Sequence, residues 1–89
     1  MANLLELLQE SAKQYESITA LSEIKNNKYI DITFKELYEN VTKATIKIKS
    51  LGISKGSNIS LCGGNSINWI ISFFGIIGAD CTVVPIDIK

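Results

Sequence analysis

From Ile67 to Ala79 the chain offers only two polar side chains, Asn68 and Ser72, and Gly75 extends their i, i+4, i+7 stripe; almost every other position is large and apolar. Nothing in that run punctuates a strand, and its length suits about three helical turns. Asn58-Ile59-Ser60-Leu61-Cys62 precedes it, broken off by Gly63-Gly64-Asn65-Ser66, and the β-branched run Cys81-Thr82-Val83-Val84 follows, stopped by Pro85. Two extended runs joined by one helix predict a parallel βαβ unit with a right-handed crossover. A helix apolar nearly all round is a helix covered nearly all round. Eighty-nine residues supply few elements to cover it. The sequence therefore predicts a piece of a larger globular domain or, alternatively, a small self-associating module that buries this helix against a second copy of itself. The end of the chain at Ile86-Asp87-Ile88-Lys89, just past a strand, points to a missing further crossover.

The preceding residues carry simpler patterns. Leu4, Leu5, Leu8, Ala12 and Tyr15 recur at three- and four-residue spacing, which predicts an amphipathic helix from about Asn3 to Glu16 with Asn3 as N-cap. Its Leu stripe could serve a partner, but packing on its own domain is the simpler expectation. Ile18–Ile24 and Tyr29–Ile32 bracket the polar cluster Lys25-Asn26-Asn27-Lys28, the signature of a hairpin. Thr33-Phe34-Lys35-Glu36 has the form of a capping box and opens a second amphipathic helix. Phe34, Leu37, Tyr38, Val41, Ala44, Ile48 and Leu51 make its apolar face, Glu39 and Lys43 are spaced for an i, i+4 pair, and Gly52 stands where a left-handed C-cap is expected. The fold class is thus α/β: an N-terminal helix, a β-hairpin, an amphipathic helix and one parallel βαβ unit, read as one partial domain over residues 1–89.

Charge and residue usage narrow the function. Nine Lys balance nine acidic residues, so no net field draws in nucleic acid or an anionic membrane. Without Arg the planar fork that grips phosphates is missing, and without His so is the commonest general base and metal ligand. Cys62 and Cys81 match neither a redox Cys-x-x-Cys nor a zinc pattern, and as reduced core residues they suit a cytoplasmic protein. Trp69–Ala79 spans about 16 Å as a helix, against the roughly 30 Å of a bilayer core, so a buried helix is expected rather than a membrane span. No export signal precedes the first helix.

Candidate chemistry is sparse. The Gly63–Ser66 loop lies where phosphate loops lie, at the start of a helix, yet it carries no phosphate-binding motif; Asn65 or Ser66 as helix N-cap is the simpler expectation. Asp87, beyond the carboxyl end of a strand, occupies the edge where open α/β sheets bind ligands. Asp80 is expected to end the helix and face solvent, and Trp69, Phe73 and Phe74 to be core. No residue is assigned a catalytic, cofactor-binding or metal-ligating role.

The order of motifs has a familiar counterpart. Ile32-Thr33-Phe34-Lys35-Glu36-Leu37, a long helix to Leu51-Gly52-Ile53, Lys55-Gly56-Ser57-Asn58-Ile59-Ser60-Leu61, Asn65-Ser66 with Trp69, and Gly78-Ala79-Asp80-Cys81-Thr82-Val83-Val84-Pro85-Ile86-Asp87 together resemble the N-terminal segment of the adenylate-forming (AMP-binding) family. Gly63-Gly64 departs from the apolar residue and Pro common there, Ser57 from the usual Asp, and no Pro follows Asp87. The resemblance implies a parent enzyme that uses ATP and Mg to activate a carboxylate as an acyl-adenylate. It then passes the acyl group to CoA or a phosphopantetheine arm. The phosphate loop, adenine segment, ribose-binding Asp and catalytic Lys of such enzymes have no counterpart here. The resemblance therefore implies a structural segment, inactive alone, binding no cofactor, with the remainder of its parent or a second copy as partner.

Overall fold

The computed structural model describes residues 4–63 and 66–86, with only the backbone of Leu4. Its elements run α1 (Leu4–Gln14), β1 (Thr19–Lys25), β2 (Lys28–Thr33), α2 (Phe34–Ser50), β3 (Asn58–Cys62), α3 (Ile67–Gly78) and β4 (Thr82–Ile86). This is the element order expected from the sequence.

Strands β1 and β2 pair antiparallel, with Ile24 opposite Tyr29 and an irregularity between Thr19 and Leu21. Asn26 and Asn27 both take positive φ, 54° and 62°. That backbone matches the right-handed twist of a two-residue hairpin, and Asn tolerates it better than most side chains. The capping box closes directly after β2. Thr33 Oγ1 accepts from the Glu36 N–H at 3.1 Å, and the Thr33 N–H donates to Glu36 Oε1 at 2.9 Å. At the far end of α2, Gly52 adopts φ 76°. Leu51 caps the helix but is exposed, so the apolar face thins out at its end.

Strands β3 and β4 pair parallel, from Asn58 opposite Thr82 to Cys62 opposite Ile86. Pro85 does not stop β4. It pairs with Leu61 inside the strand, which a Pro can do where its missing N–H is not needed by the neighbour. Among the described residues the hairpin and the β3–β4 pair remain separate two-stranded sheets.

The core lies between the helices. Leu8 of α1, Ile32 of β2, Leu37 and Val41 of α2 and Ile67 of α3 form one buried cluster, with Val41 only 1% exposed. Ile76, Ala79 and Cys81 form a second, packed on Ile48, Ile59, Leu61 and Val83. Helices α2 and α3 cross closely, and Gly75 is the reason. A Cβ there would lie 2.7 Å from Ala44 Cβ. Thr45 Oγ1 locks the crossing by donating to the Gly75 carbonyl at 3.1 Å. Gly75 thus serves as a helix contact rather than as part of a polar stripe.

Coverage of α3 is incomplete. Ile67, Gly75 and Ile76 are buried, Asn68 is exposed, and the remaining residues are intermediate. Trp69, Phe73 and Ile77, at i, i+4, i+8 spacing, share a stripe that belongs to neither cluster. Helix α1 stops at Gln14, short of the expected Glu16, and Tyr15 beyond it is exposed while its ring lies against Phe34 at 6.4 Å.

Candidate functional site

The place to look for chemistry in a βαβ unit is the carboxyl end of its strands, at the start of the crossover helix. Here that is the end of β3 and the first turn of α3. Gly64 and Asn65 of the connecting loop, and Asp87 beyond β4, lie outside the described residues. Ser66 takes extended backbone angles and caps α3, its Oγ accepting from the Trp69 N–H at 3.0 Å.

A second acceptor comes from another element. Glu23 of β1 reaches across so that its Oε1 accepts from the Ile67 N–H at 3.4 Å. A carboxylate at a helix N-terminus interacts favourably with the partial positive charge there. It also occupies the position an anion would need. Two first-turn donors are already used by Ser66 and Glu23, and a phosphate approaching them would meet a like charge.

The surrounding clefts are small. One of about 200 Å³ lies between Leu21, Ser22, Glu23, Ser66, Ile67 and Ile70. A second, also about 200 Å³, is bounded by Leu61, Cys62, Gly63, Ser66, Asn68, Trp69 and Ser72. Both fall below the roughly 300–1,000 Å³ of typical ligand pockets, whereas a third, of about 310 Å³ beside Glu23, Asp31, Glu36, Ile67 and Asn68, reaches only its lower end. Trp69 stacks on Phe73 with centroids 5.4 Å apart, and Phe73 meets Phe74 edge-on at 5.9 Å. Phe74 packs on the first core cluster, as expected, whereas Trp69 and Phe73 remain half-buried. The Trp69 Nε1 is itself buried and has no hydrogen-bond partner among the described residues.

The other candidates separate. Asp80 takes φ 60° just after α3 and is exposed, with Lys55 Nζ 4.0 Å from its carboxylate. It ends the helix as expected. Cys81 is buried, its Sγ 3.7 Å from the Ser54 carbonyl, but Cys62 is exposed, which corrects the expectation that both thiols are core. The alternation of β3 turns Cys62 away from α3 together with Asn58 and Ser60. No ion pair forms between Glu39 and Lys43. Glu36 has its carboxyl held below the usual Glu range, first by the hydrogen bond from the Thr33 backbone and then by the Thr33 side chain. No group of three His, Cys, Asp or Glu residues that could hold a metal is found among the described residues, and no helix is long and apolar enough to cross a membrane. Glu23 was missed in the sequence. Its signal was its position two residues after Leu21 on the inward face of a strand.

This arrangement, a hairpin and capped helix leading into a βαβ unit, has close counterparts among solved structures. It superimposes with a TM-score of 0.88 on a fatty acid AMP ligase from Legionella pneumophila at 18% identity, over 94% of this chain and 15% of that one. It superimposes at 0.83 on the N-terminal domain of FACL13 from Mycobacterium tuberculosis at 22% identity, over 97% of this chain and 21% of that one. In sequence, residues 8–89 match the AMP-binding enzyme family, and the chain belongs to that family. It is 32% identical over 72 residues to the long-chain-fatty-acid–CoA ligase ACSBG2 of Mus musculus, covering 81% of this chain and 11% of that protein. The chain thus spans about a tenth of the length of that curated relative.

Proposed function

We propose that this chain is the N-terminal structural segment of an ATP-dependent, carboxylate-activating ligase and forms no acyl-adenylate by itself. One observation carries this reading: the family match runs over residues 8–89 while the chain spans 11% of its mouse relative. Most of such an enzyme lies in polypeptide that these residues do not include.

The local chemistry supports the same reading. In the first turn of α3 the Ile67 and Trp69 N–H groups are already paired with Glu23 and Ser66. On this reading ATP, Mg and the thiol acceptor, CoA or a phosphopantetheine arm, belong to the remainder of the parent. The free thiols of Cys62 and Cys81 favour a cytoplasmic setting.

The test is ATP–pyrophosphate exchange. The 89-residue chain, given ATP, Mg and a panel of short- to long-chain carboxylic acids, is expected to exchange no label above a protein-free control. Acid-dependent exchange by the purified chain overturns the proposal.

A further inference from the structure

The balanced net charge hides a segregation. From Asn40 to Ala79 the chain carries four Lys and no acidic residue, so the rest holds five Lys against nine acids. Those four, Lys43, Lys47, Lys49 and Lys55, are all exposed and fall in the C-terminal half of α2 and the turn that follows it. A field from the whole molecule is absent, but a local one is not.

The lysines are interleaved with exposed aliphatic side chains. Ile46 is 62% exposed, Leu51 66%, and Ile53 lies beyond them at 37%. Ile46 stands three residues from both Lys43 and Lys49, and Lys47 is four from Lys43, so these side chains share the outer face of the helix. The buried Leu37 and Val41 lie on the opposite face. Acids border the patch without entering it. Glu39 is four residues before Lys43, Glu6 lines the groove between α1 and α2 together with Ile46, and Asp80 lies 4.0 Å from Lys55. The helix macrodipole accounts for Lys47 and Lys49 in the last turn of α2. It gives no reason for Lys43, or for large aliphatic side chains set among the charges.

We propose that this patch, formed by Lys43, Ile46, Lys47, Lys49 and Leu51, docks on an anionic lipid surface. Each Lys near such a surface strengthens binding about fivefold by attraction to the acidic headgroups. Ile46 and Leu51 reach into the boundary between headgroups and acyl chains. The lysine stems add apolar contact while their charged ends stay in water. Nucleic acid is the poorer partner, because the patch offers no Arg fork for phosphates and no aromatic ring on which a base could stack. The contact is peripheral, since no helix of the described residues is long and apolar enough to cross a membrane.

The test is co-sedimentation of the 89-residue chain with vesicles at low ionic strength. One set is phosphatidylcholine alone, and the other adds phosphatidylserine at a ratio of about 3:1. Binding is expected only to the vesicles with phosphatidylserine, and to fall as salt is added. Lys43→Gln/Lys47→Gln/Lys49→Gln is expected to weaken it about a hundredfold. The charge-matched control Lys13→Gln/Lys25→Gln/Lys28→Gln, also at exposed positions, is expected to stay within about threefold of the parent. Ile46→Ser/Leu51→Ser is expected to weaken binding about tenfold while keeping its salt dependence. Circular dichroism checks that each variant keeps the parent fold. Absence of binding overturns the proposal. So does equal binding to phosphatidylcholine alone, which would place the contact on apolar surface elsewhere, and so does an equal loss in the control triple, which would reduce the effect to net charge. Tighter binding to a mixed-sequence single-stranded RNA at the same salt makes nucleic acid the partner and overturns it as well.

Discussion

Replacing Gly75 by Ala tests the α2–α3 crossing directly. The new Cβ would sit 2.7 Å from Ala44 Cβ, and 3.5 Å from the Ala44 carbonyl carbon and the Thr45 nitrogen. Carbon atoms in ordinary contact stand about 3.5–4.0 Å apart, so the helices must separate by about 1 Å. Ala44 has no side-chain torsion with which to retreat, and the movement falls on the backbone of α2. Overpacking of this kind costs about 1–3 kcal/mol. Ala is the better helix former by about 1 kcal/mol, which offsets part of it. The separation also stretches the bond from Thr45 Oγ1 to the Gly75 carbonyl. A net loss of about 1–2 kcal/mol is expected, lowering Tm by about 4–16 °C for a chain of this size. Thermal unfolding followed by circular dichroism at the helix band measures it. In the double variant Ala44→Gly/Gly75→Ala the space is returned, and the cycle is expected to show about 1 kcal/mol or more of favourable coupling. A Gly75→Ala variant as stable as the parent, or more so, refutes the close crossing, because helix propensity alone would then govern the outcome.

Three further outcomes are expected. Thr33→Ala removes the side-chain half of the capping box and should cost about 1 kcal/mol, read by urea unfolding. The lowered carboxyl of Glu36 stabilises the fold above the ordinary Glu range, and that contribution is lost as pH falls through its depressed folded value. Glu36→Gln should therefore flatten the acid limb of Tm against pH, and an unchanged limb would count against the carboxylate. Asp80→Gly relieves a non-glycine residue at φ 60° and gives up only an exposed ion pair at 4.0 Å. It is expected to raise Tm by a few degrees, and a fall would show that Lys55 matters more than the backbone.

What could be read from the residues was largely local. The hairpin with its Asn26-Asn27 turn, the Thr33–Glu36 box, Gly52 after α2 and Ser66 before α3 all depend on neighbours a few positions apart, and all appear where expected. What escaped depends on partners far along the chain. Gly75 looked like part of a polar stripe because nothing near it in sequence announces Ala44 and Thr45. Glu23 went unnoticed because its partner, the Ile67 N–H, is supplied by a helix 44 positions away. The rule that Pro ends a strand fails at Pro85, where the neighbouring strand does not require its N–H. Residue type favours the core for Cys62 but says nothing of which side of a strand it faces. The outer aspect of the hairpin was equally silent. There Ile24 and Tyr29 are 66% and 76% exposed, opposite each other in register.

The parallel register also sets an order of events during synthesis. Asn58 pairs with Thr82, so each residue of β3 waits for a partner made 24 positions later. At about 5–20 residues per second on the ribosome, that is an interval of about 1–5 s. Hairpin partners such as Lys25 and Lys28 are separated by only three positions and can meet as soon as they clear the exit tunnel. Nascent chains should therefore show an early hairpin and a late parallel pair, with Ile59 and Leu61 available to chaperones in between.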